Sequence, residues 1–218
     1  MNEEKEKFLK SLIVPVIFIL LIWLIKFFEV LSGISLGHYG IYPRHFSNIF
    51  GIISAPFLHA NFQHLFSNSL PVLFLSVGII YFYKVSAFRV ILFIYLVTGI
   101  LVWIIARSSY HIGASGLIYG FVSYLFFSGI IRRDKRAVTL ALLVTFLYGS
   151  LVWGIFPLQR DVSWESHLFG SFSGIAAAFI FRKYDPYKKY EWEDEPEETP
   201  PGKLEISYKK DIPPEKID

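Results

Sequence analysis

The sequence predicts an all-α membrane protein: a bundle of six transmembrane helices, with a long, partly embedded outer loop between helices 1 and 2. Three observations predict it. Of the 218 residues, 54% are hydrophobic and 18% aromatic, with a mean hydropathy of +0.47; a polar shell covering a water-soluble core leaves no room for that much apolar surface. Six apolar segments are long enough to cross a bilayer core, which takes about 20 residues at roughly 1.5 Å of rise each. Lysine and arginine, finally, crowd into alternate loops, as they do on the cytoplasmic side of membrane proteins.

The first span, 11–31, follows Lys5, Lys7 and Lys10, as the apolar part of a signal peptide would. Lys26, Phe27, Phe28 and Glu29 stand where a small-residue cleavage site would be needed, so the segment reads as a retained helix. Spans two and three are 64–83 and 87–106. The fourth, 115–131, is short, and 137–156 and 165–182 complete the set. One set of ends carries Lys5, Lys7, Lys10, Lys84, Arg89, Arg132, Arg133, Lys135, Arg136, Arg182 and Lys183, against only Arg44, Arg107 and Arg160 at the other. Both termini are therefore expected in the cytoplasm, in a plasma membrane of bacterial (inner-membrane) type.

The connection 32–63 holds Gly33, Gly37, Gly40, Pro43, Gly51 and Pro56 among many apolar residues. It cannot span, and it is too apolar to float free, so an interfacial loop with short helices is expected on the outer side. The organisation is thus a cytoplasmic segment 1–10, a membrane domain 11–183 and a tail 184–218. Eleven of the 18 acidic residues lie from Asp185 onward, and "EWEDEPEETPPGK" has no periodicity, so the tail is expected to be a solvated extension.

Composition also excludes chemistry. With no cysteine there is no disulfide framework, thiolate nucleophile or cysteine metal site. No zinc-ligand spacing, phosphate-binding loop or nucleic-acid motif occurs. The expected surroundings are the lipid bilayer and other membrane proteins.

Polar groups inside apolar spans are costly and mark function by default. His64 and Asn68 are four residues apart on the second span and share a helical face; Ser115 opens the fourth span and His167 the sixth. In the expected topology these spans all run inward, so their polar residues meet at one depth near the outer leaflet. Singly, each has a plainer role. His64 could anchor a helix end, Asn68 could bond between helices, and Gly113, Ser115 and Gly116 could form a small-residue packing patch, the role assigned to Gly170 and Gly174. Together they make a complete catalytic set. A serine hydroxyl needs a base, and a neutral imidazole is the usual one. A tetrahedral intermediate needs donors, which the Ser115 backbone N–H, the His64 ring and the Asn68 amide can supply. Of the acids outside the termini, Glu165 is nearest to His167 but two residues away on a helix, pointing to another side. A Ser115–His167 dyad without a carboxylate is the better inference.

Here the chain resembles the rhomboid family of intramembrane serine proteases. "HANFQHLFSN" is similar to the family's second-helix pattern at His59, His64 and Asn68; "GASG" to its Gly-x-Ser-Gly; "HLFGSFSG" to its last helix at His167, Gly170 and Gly174. The match covers about residues 10–183. The resemblance implies Ser115 as nucleophile, His167 as general base, and His64, Asn68 and the Ser115 backbone as the oxyanion site. Gly113 would shape the loop before the nucleophile, Tyr119 would stack on the catalytic imidazole, and His59 would brace the outer loop. It implies transmembrane protein substrates, no metal or organic cofactor, and a gate at the fifth span and the loop 157–163. His38, His45 and His111 have no counterpart and read as loop residues. The Trp-Arg pair of many relatives is absent, with Tyr42-Pro43-Arg44 in a similar region. Two other classes compete: a catalytically silent relative that binds membrane helices, which intact Ser115 and His167 argue against, and a small transporter, which the lack of charge in spans two to five argues against.

Overall fold

The computed structural model of the chain describes residues 3–147, 153–158 and 162–186. These residues form an all-helical structure with seven α-helices: α1 (Glu3–Ser32), the short α2 (Gly51–Ser54), α3 (Phe62–Phe82), α4 (Ala87–Ile105), α5 (Ser115–Arg132), α6 (Lys135–Leu147) and α7 (Trp164–Ile180). Among the described residues, four helices are long and apolar enough to cross a membrane: α1, α3, α4 and α5. The only β pairing described is a single bridge between Ile41 and His111. The expected tail lies outside the described residues from 187 onward.

α5 is the hub. In its apolar window 61% of residues are buried, against 17% in α1, so α5 sits inside the bundle and α1 at its edge. α5 packs most extensively against α7, then α6 and α3, while α1 packs mainly on α3. Leu75, Ile79, Val90, Ile94, Tyr124 and Leu125 make the fully buried centre where α3, α4 and α5 meet. Outside it, Leu20, Leu24, Phe66, Phe88 and Phe146 are exposed. In water such a surface would aggregate; in lipid it is the expected coat.

Helix directions follow from the bonds at their ends. The Lys7 ammonium sits 4.3 Å over the Tyr81 ring, while Lys26 reaches the residues just before α3, so α1 and α3 are antiparallel. Arg132, at the end of α5, lies 4.5 Å over the Tyr83 ring after α3 and donates at 2.6 Å to the Phe181 carbonyl after α7. α3, α5 and α7 therefore run the same way. Asp185, beyond α7, accepts from the Val85 and Ser86 amides (2.7 and 2.9 Å) and the Ser86 hydroxyl (2.7 Å) before α4, which runs back against them.

Helix boundaries depart from the sequence expectation at two places. α1 starts at Glu3, not near residue 11, because its first turn is acidic and a Glu6–Lys10 pair (2.6 Å) forms along its surface; both favour continued helix. The fifth span was expected to reach 156, but residues 153–155 form a 3₁₀ turn. Gly154 in that turn aims its carbonyl at the His167 ring, which a continuing α-helix would turn inward.

In the connection 32–63, 3₁₀ turns at Gly37–Tyr39, Phe46–Asn48 and Ala55–Phe57 flank α2. Two fastenings hold it. Lys26 donates to Glu29 (3.0 Å) and to the His59 and Ala60 carbonyls (2.9 and 3.1 Å), while Glu29 accepts from the Leu36 amide at 2.7 Å. Arg44, at φ 64°, forks onto the Ala106 carbonyl (2.7 Å), the Ile104 carbonyl (3.3 Å) and the Ser108 hydroxyl (3.1 Å). It thereby satisfies carbonyls that the end of α4 leaves unpaired. Trp103 donates to the His45 carbonyl at 3.2 Å, so a tryptophan and an arginine do fasten this loop, from residues far apart in sequence.

Candidate active site

Ser115 is the first residue of α5, and Gly113 makes the turn before it. Gly113 has φ +109°, a conformation that L side chains rarely adopt, and its amide donates to the Ala55 carbonyl at 2.9 Å. A Cβ there would also stand 2.8 Å from His64 Nε2, so the glycine makes room for the imidazole. His64 is thereby held against the backbone two residues before Ser115. Its own position comes from the start of α3, where the Asn61 side chain caps the helix by accepting from the His64 amide at 2.8 Å.

His167 lies on the first turns of α7. Its Nε2 is 2.8 Å from Ser115 Oγ and its Nδ1 is 2.8 Å from the Gly154 carbonyl. A carbonyl only accepts, so Nδ1 carries the proton and Nε2 presents its lone pair to the serine hydroxyl, which donates. The Gly154 carbonyl thus orients the imidazole where a carboxylate does in a triad. Tyr119, one turn into α5, stacks on the His167 ring at 4.2 Å and 8°. A Cβ on Gly154 would collide with the Tyr119 hydroxyl, so that glycine lets the turn lie over the pair.

The close approach of α5 and α7 is made by glycine on both sides. A Cβ on Gly170 would collide with the Gly116 carbonyl, and one on Gly174 with the Gly120 carbonyl. Two small-xxx-small rows face each other, bringing the backbones close enough for a serine on one helix to meet a histidine on the other.

Asn68 is buried at 3% exposure, one turn below His64, and donates one N–H to the His64 carbonyl at 2.7 Å. His59, just before α3, is also buried and makes an edge contact with the His64 ring at 5.1 Å. Burial, with the His64 ring and the Lys26 charge nearby, holds its pKa down to about 3, so it is neutral at physiological pH. A cavity of about 30 Å³ lies behind the Gly113–Leu117 backbone, walled mostly by apolar residues such as Ile41, Ile52 and Val102, with Thr98, Ser166 and His111 among them.

The structure therefore gathers Ser115, His167, Tyr119, His64, Gly113, His59 and Asn68 into one region at the common starting end of α3, α5 and α7. Glu165 is turned to Arg107, at 3.4 Å, and makes no bond to the Ser115–His167 pair. Sequence reasoning missed Gly154, for which no signal existed, and undervalued Lys26 and His111. His111 lies in a loop as expected, but it is 1% exposed and hydrogen-bonded through both ring nitrogens, and burial lowers its pKa. Its place four residues before Ser115 was the available clue.

An all-helical architecture with several apolar spans defines a multi-pass integral membrane protein. The model of the Rhomboid domain matches residues 46–184, which include every residue of the site described here. An uncharacterized protein of Mycobacterium tuberculosis is 33% identical over 177 residues, covering 75% of this chain and 72% of its own. One of Mycobacterium leprae is 34% identical over 177 residues, covering 75% of this chain and 68% of its own. The chain belongs to the rhomboid family.

Proposed function

We propose that the protein is an intramembrane serine endopeptidase that hydrolyses peptide bonds in or near the transmembrane helices of other membrane proteins. One observation carries the proposal: Ser115 Oγ lies 2.8 Å from an imidazole nitrogen whose partner nitrogen is committed to a carbonyl. Membership of a family whose members are usually such proteases supports it.

In the mechanism, His167 Nε2 takes the Ser115 proton as Oγ attacks the scissile carbonyl, and the Gly154 carbonyl and Tyr119 ring hold the imidazolium that forms. The Ser115 backbone N–H, the His64 ring N–H and the second N–H of Asn68 receive the oxyanion. His167 then protonates the leaving amine, and water hydrolyses the acyl-enzyme through the same base. Gly170 and Gly174 keep α7 close enough for this, and His59 braces the segment leading to His64.

In this reading α6 and α7 complete a bundle of six spans, with the site near the outer leaflet, both termini in the cytoplasm and 32–63 as a partly embedded outer loop. A substrate helix with small or helix-breaking residues near its outer end unwinds most readily into such a site. The test is cleavage of a model transmembrane substrate by purified protein in liposomes. The unmodified chain should cut, and Ser115→Ala and His167→Ala, still folded, should not. Equal cutting by all three would remove Ser115 from the mechanism.

A further inference from the structure

The two segments that carry Ser115 and His167 meet a second time. Four residues before Ser115 stands His111, and four before His167 stands Ser163. His111 Nδ1 lies 2.5 Å from Ser163 Oγ. It is a serine–histidine hydrogen bond across the same two segments, with the partners exchanged: the nucleophile's segment brings the imidazole and the base's segment the hydroxyl.

The protons can be assigned. His111 Nε2 lies 3.1 Å from the Arg107 carbonyl, which can only accept, so Nε2 carries the proton and Nδ1 accepts from Ser163. Ser163 Oγ in turn accepts from Ser166 Oγ at 2.6 Å. No substrate reaches an imidazole that is 1% exposed, so this pair is not a second active site. Ser163 is the residue before α7, where a serine side chain ordinarily caps an amide of the first turn; it makes no such bond, and its hydroxyl is given to His111 and Ser166 instead. The His111 backbone is fixed too, exchanging both hydrogen bonds with Ile41 (3.0 and 2.9 Å).

The bond lies where α5 and α7 begin. Facing glycines fix how close the helices come; Arg132, donating to the Phe181 carbonyl at 2.6 Å, ties their far ends, and the His111–Ser163 bond ties the segments that enter them at the near end, beside the reacting atoms. We propose that the His111–Ser163 pair is the positioning clamp that sets the register of the two helices there, and so holds Ser115 Oγ and His167 Nε2 in bonding geometry. The inference rests on the protease reading. A displacement of about 1 Å at the reacting atoms is enough to cost on the order of 100-fold in rate.

The test uses the full chain in detergent with Ser163→Ala, His111→Ala, the double variant and His111→Asn, whose amide reaches the place of Nδ1. Three quantities are measured: the rate of labelling by a fluorophosphonate, the ¹⁵N imidazole signals of His167 (assigned with His167→Gln), and the melting temperature. Each alanine variant should label at least 10-fold more slowly, the double variant no more slowly than the worse single one, and His111→Asn should recover most of the rate. Labelling of Ser163→Ala at the unmodified rate overturns the clamp, as does a loss that His111→Asn fails to recover while restoring the melting temperature. If the unmodified chain does not label, the nucleophile assignment falls instead. The clamp is then decided by the His167 signals: a shift in Ser163→Ala sustains it, and an unchanged spectrum overturns it.

Discussion

At the scale of single residues, what separates this site from a polar cluster is that both nitrogens of the His167 ring are committed, Nε2 to Ser115 Oγ and Nδ1 to the Gly154 carbonyl. The duty of Gly113 is conformational and steric at once. Gly113→Ala puts a Cβ at φ +109° and 2.8 Å from His64 Nε2. Strain of about 1–3 kcal/mol follows from the backbone alone, and displacement of His64, if it is the oxyanion donor proposed above, costs roughly 100- to 1000-fold in kcat. Cleavage assays alongside melting curves should show both losses. His59 makes a different prediction. An unfolded chain protonates its histidine near pH 6.5, and the folded chain not until about pH 3, so acid favours unfolding across that window. Stability present above pH 6.5 should fall by about 2 kcal/mol by pH 5 on this account, and melting curves of His59→Gln should show a shallower decline. Ser115, His167 and His64 were legible as candidates in the sequence because polar groups in apolar spans are rare enough to be noticed, and the structure brings the three together. Gly154 was not, since what matters is a backbone carbonyl, and every residue has one. His111 was visible but undervalued, because a histidine in a loop is ordinary until its burial is known.

At the scale of elements, the α5–α7 contact is where sequence pattern turns most directly into geometry. Gly170 and Gly174 were read from their spacing as a packing patch; their partners, Gly116 and Gly120, lie on α5, one of them inside the Gly-Ala-Ser-Gly stretch itself. Adding a methyl at Gly170 meets the Gly116 backbone, which cannot rotate away as a side chain can. Gly170→Ala should therefore push the start of α7 from Ser115, lowering the fluorophosphonate labelling rate by 10-fold or more and the melting temperature with it. The same substitution at an exposed helical glycine would stabilise. The α1–loop junction is the second such element. Lys26 is 8% exposed and spends its three donors on Glu29 and the His59 and Ala60 carbonyls. Lys26→Met leaves Glu29 as a buried, unpaired carboxylate and should cost about 3–5 kcal/mol, much of it recovered when Glu29→Gln is added. Thermal denaturation of the three variants measures this. In the sequence, Lys26 and Glu29 served only to argue against a cleavage site; that they form a buried i,i+3 pair depended on the loop returning across α1, which no local pattern announces.

At the scale of the whole molecule, composition and the spacing of apolar runs were enough for a multi-pass helical protein, and the ends of α3, α4 and α5 fell within two residues of expectation. The acidic opening of α1 and the 3₁₀ turn after α6 were not legible: the first is decided by helix-end electrostatics outside the apolar pattern, the second by a contact with another helix. Orientation rests on charge alone and can be argued further from structure. Arg132 reaches past the end of α7, and Asp185 caps the amides before α4. Lys84, Arg89, Arg132, Arg133, Lys135, Arg136, Arg182 and Lys183 are thus gathered at one end of the bundle, opposite the end where Ser115 meets His167. Inserting that many cations through a membrane against its potential is unfavourable, so this end should be cytoplasmic. The chain has no cysteine, which leaves a labelling experiment free of background. Ser47→Cys, in the connection before α3, and Val85→Cys, 62% exposed before α4, change no charge. In intact bacteria a membrane-impermeant maleimide should label Ser47→Cys and spare Val85→Cys until the membrane is opened. The reverse pattern would invert the molecule and put the Ser115–His167 pair at the cytoplasmic leaflet, while equal labelling of both in intact cells would deny that the bundle spans the bilayer between them.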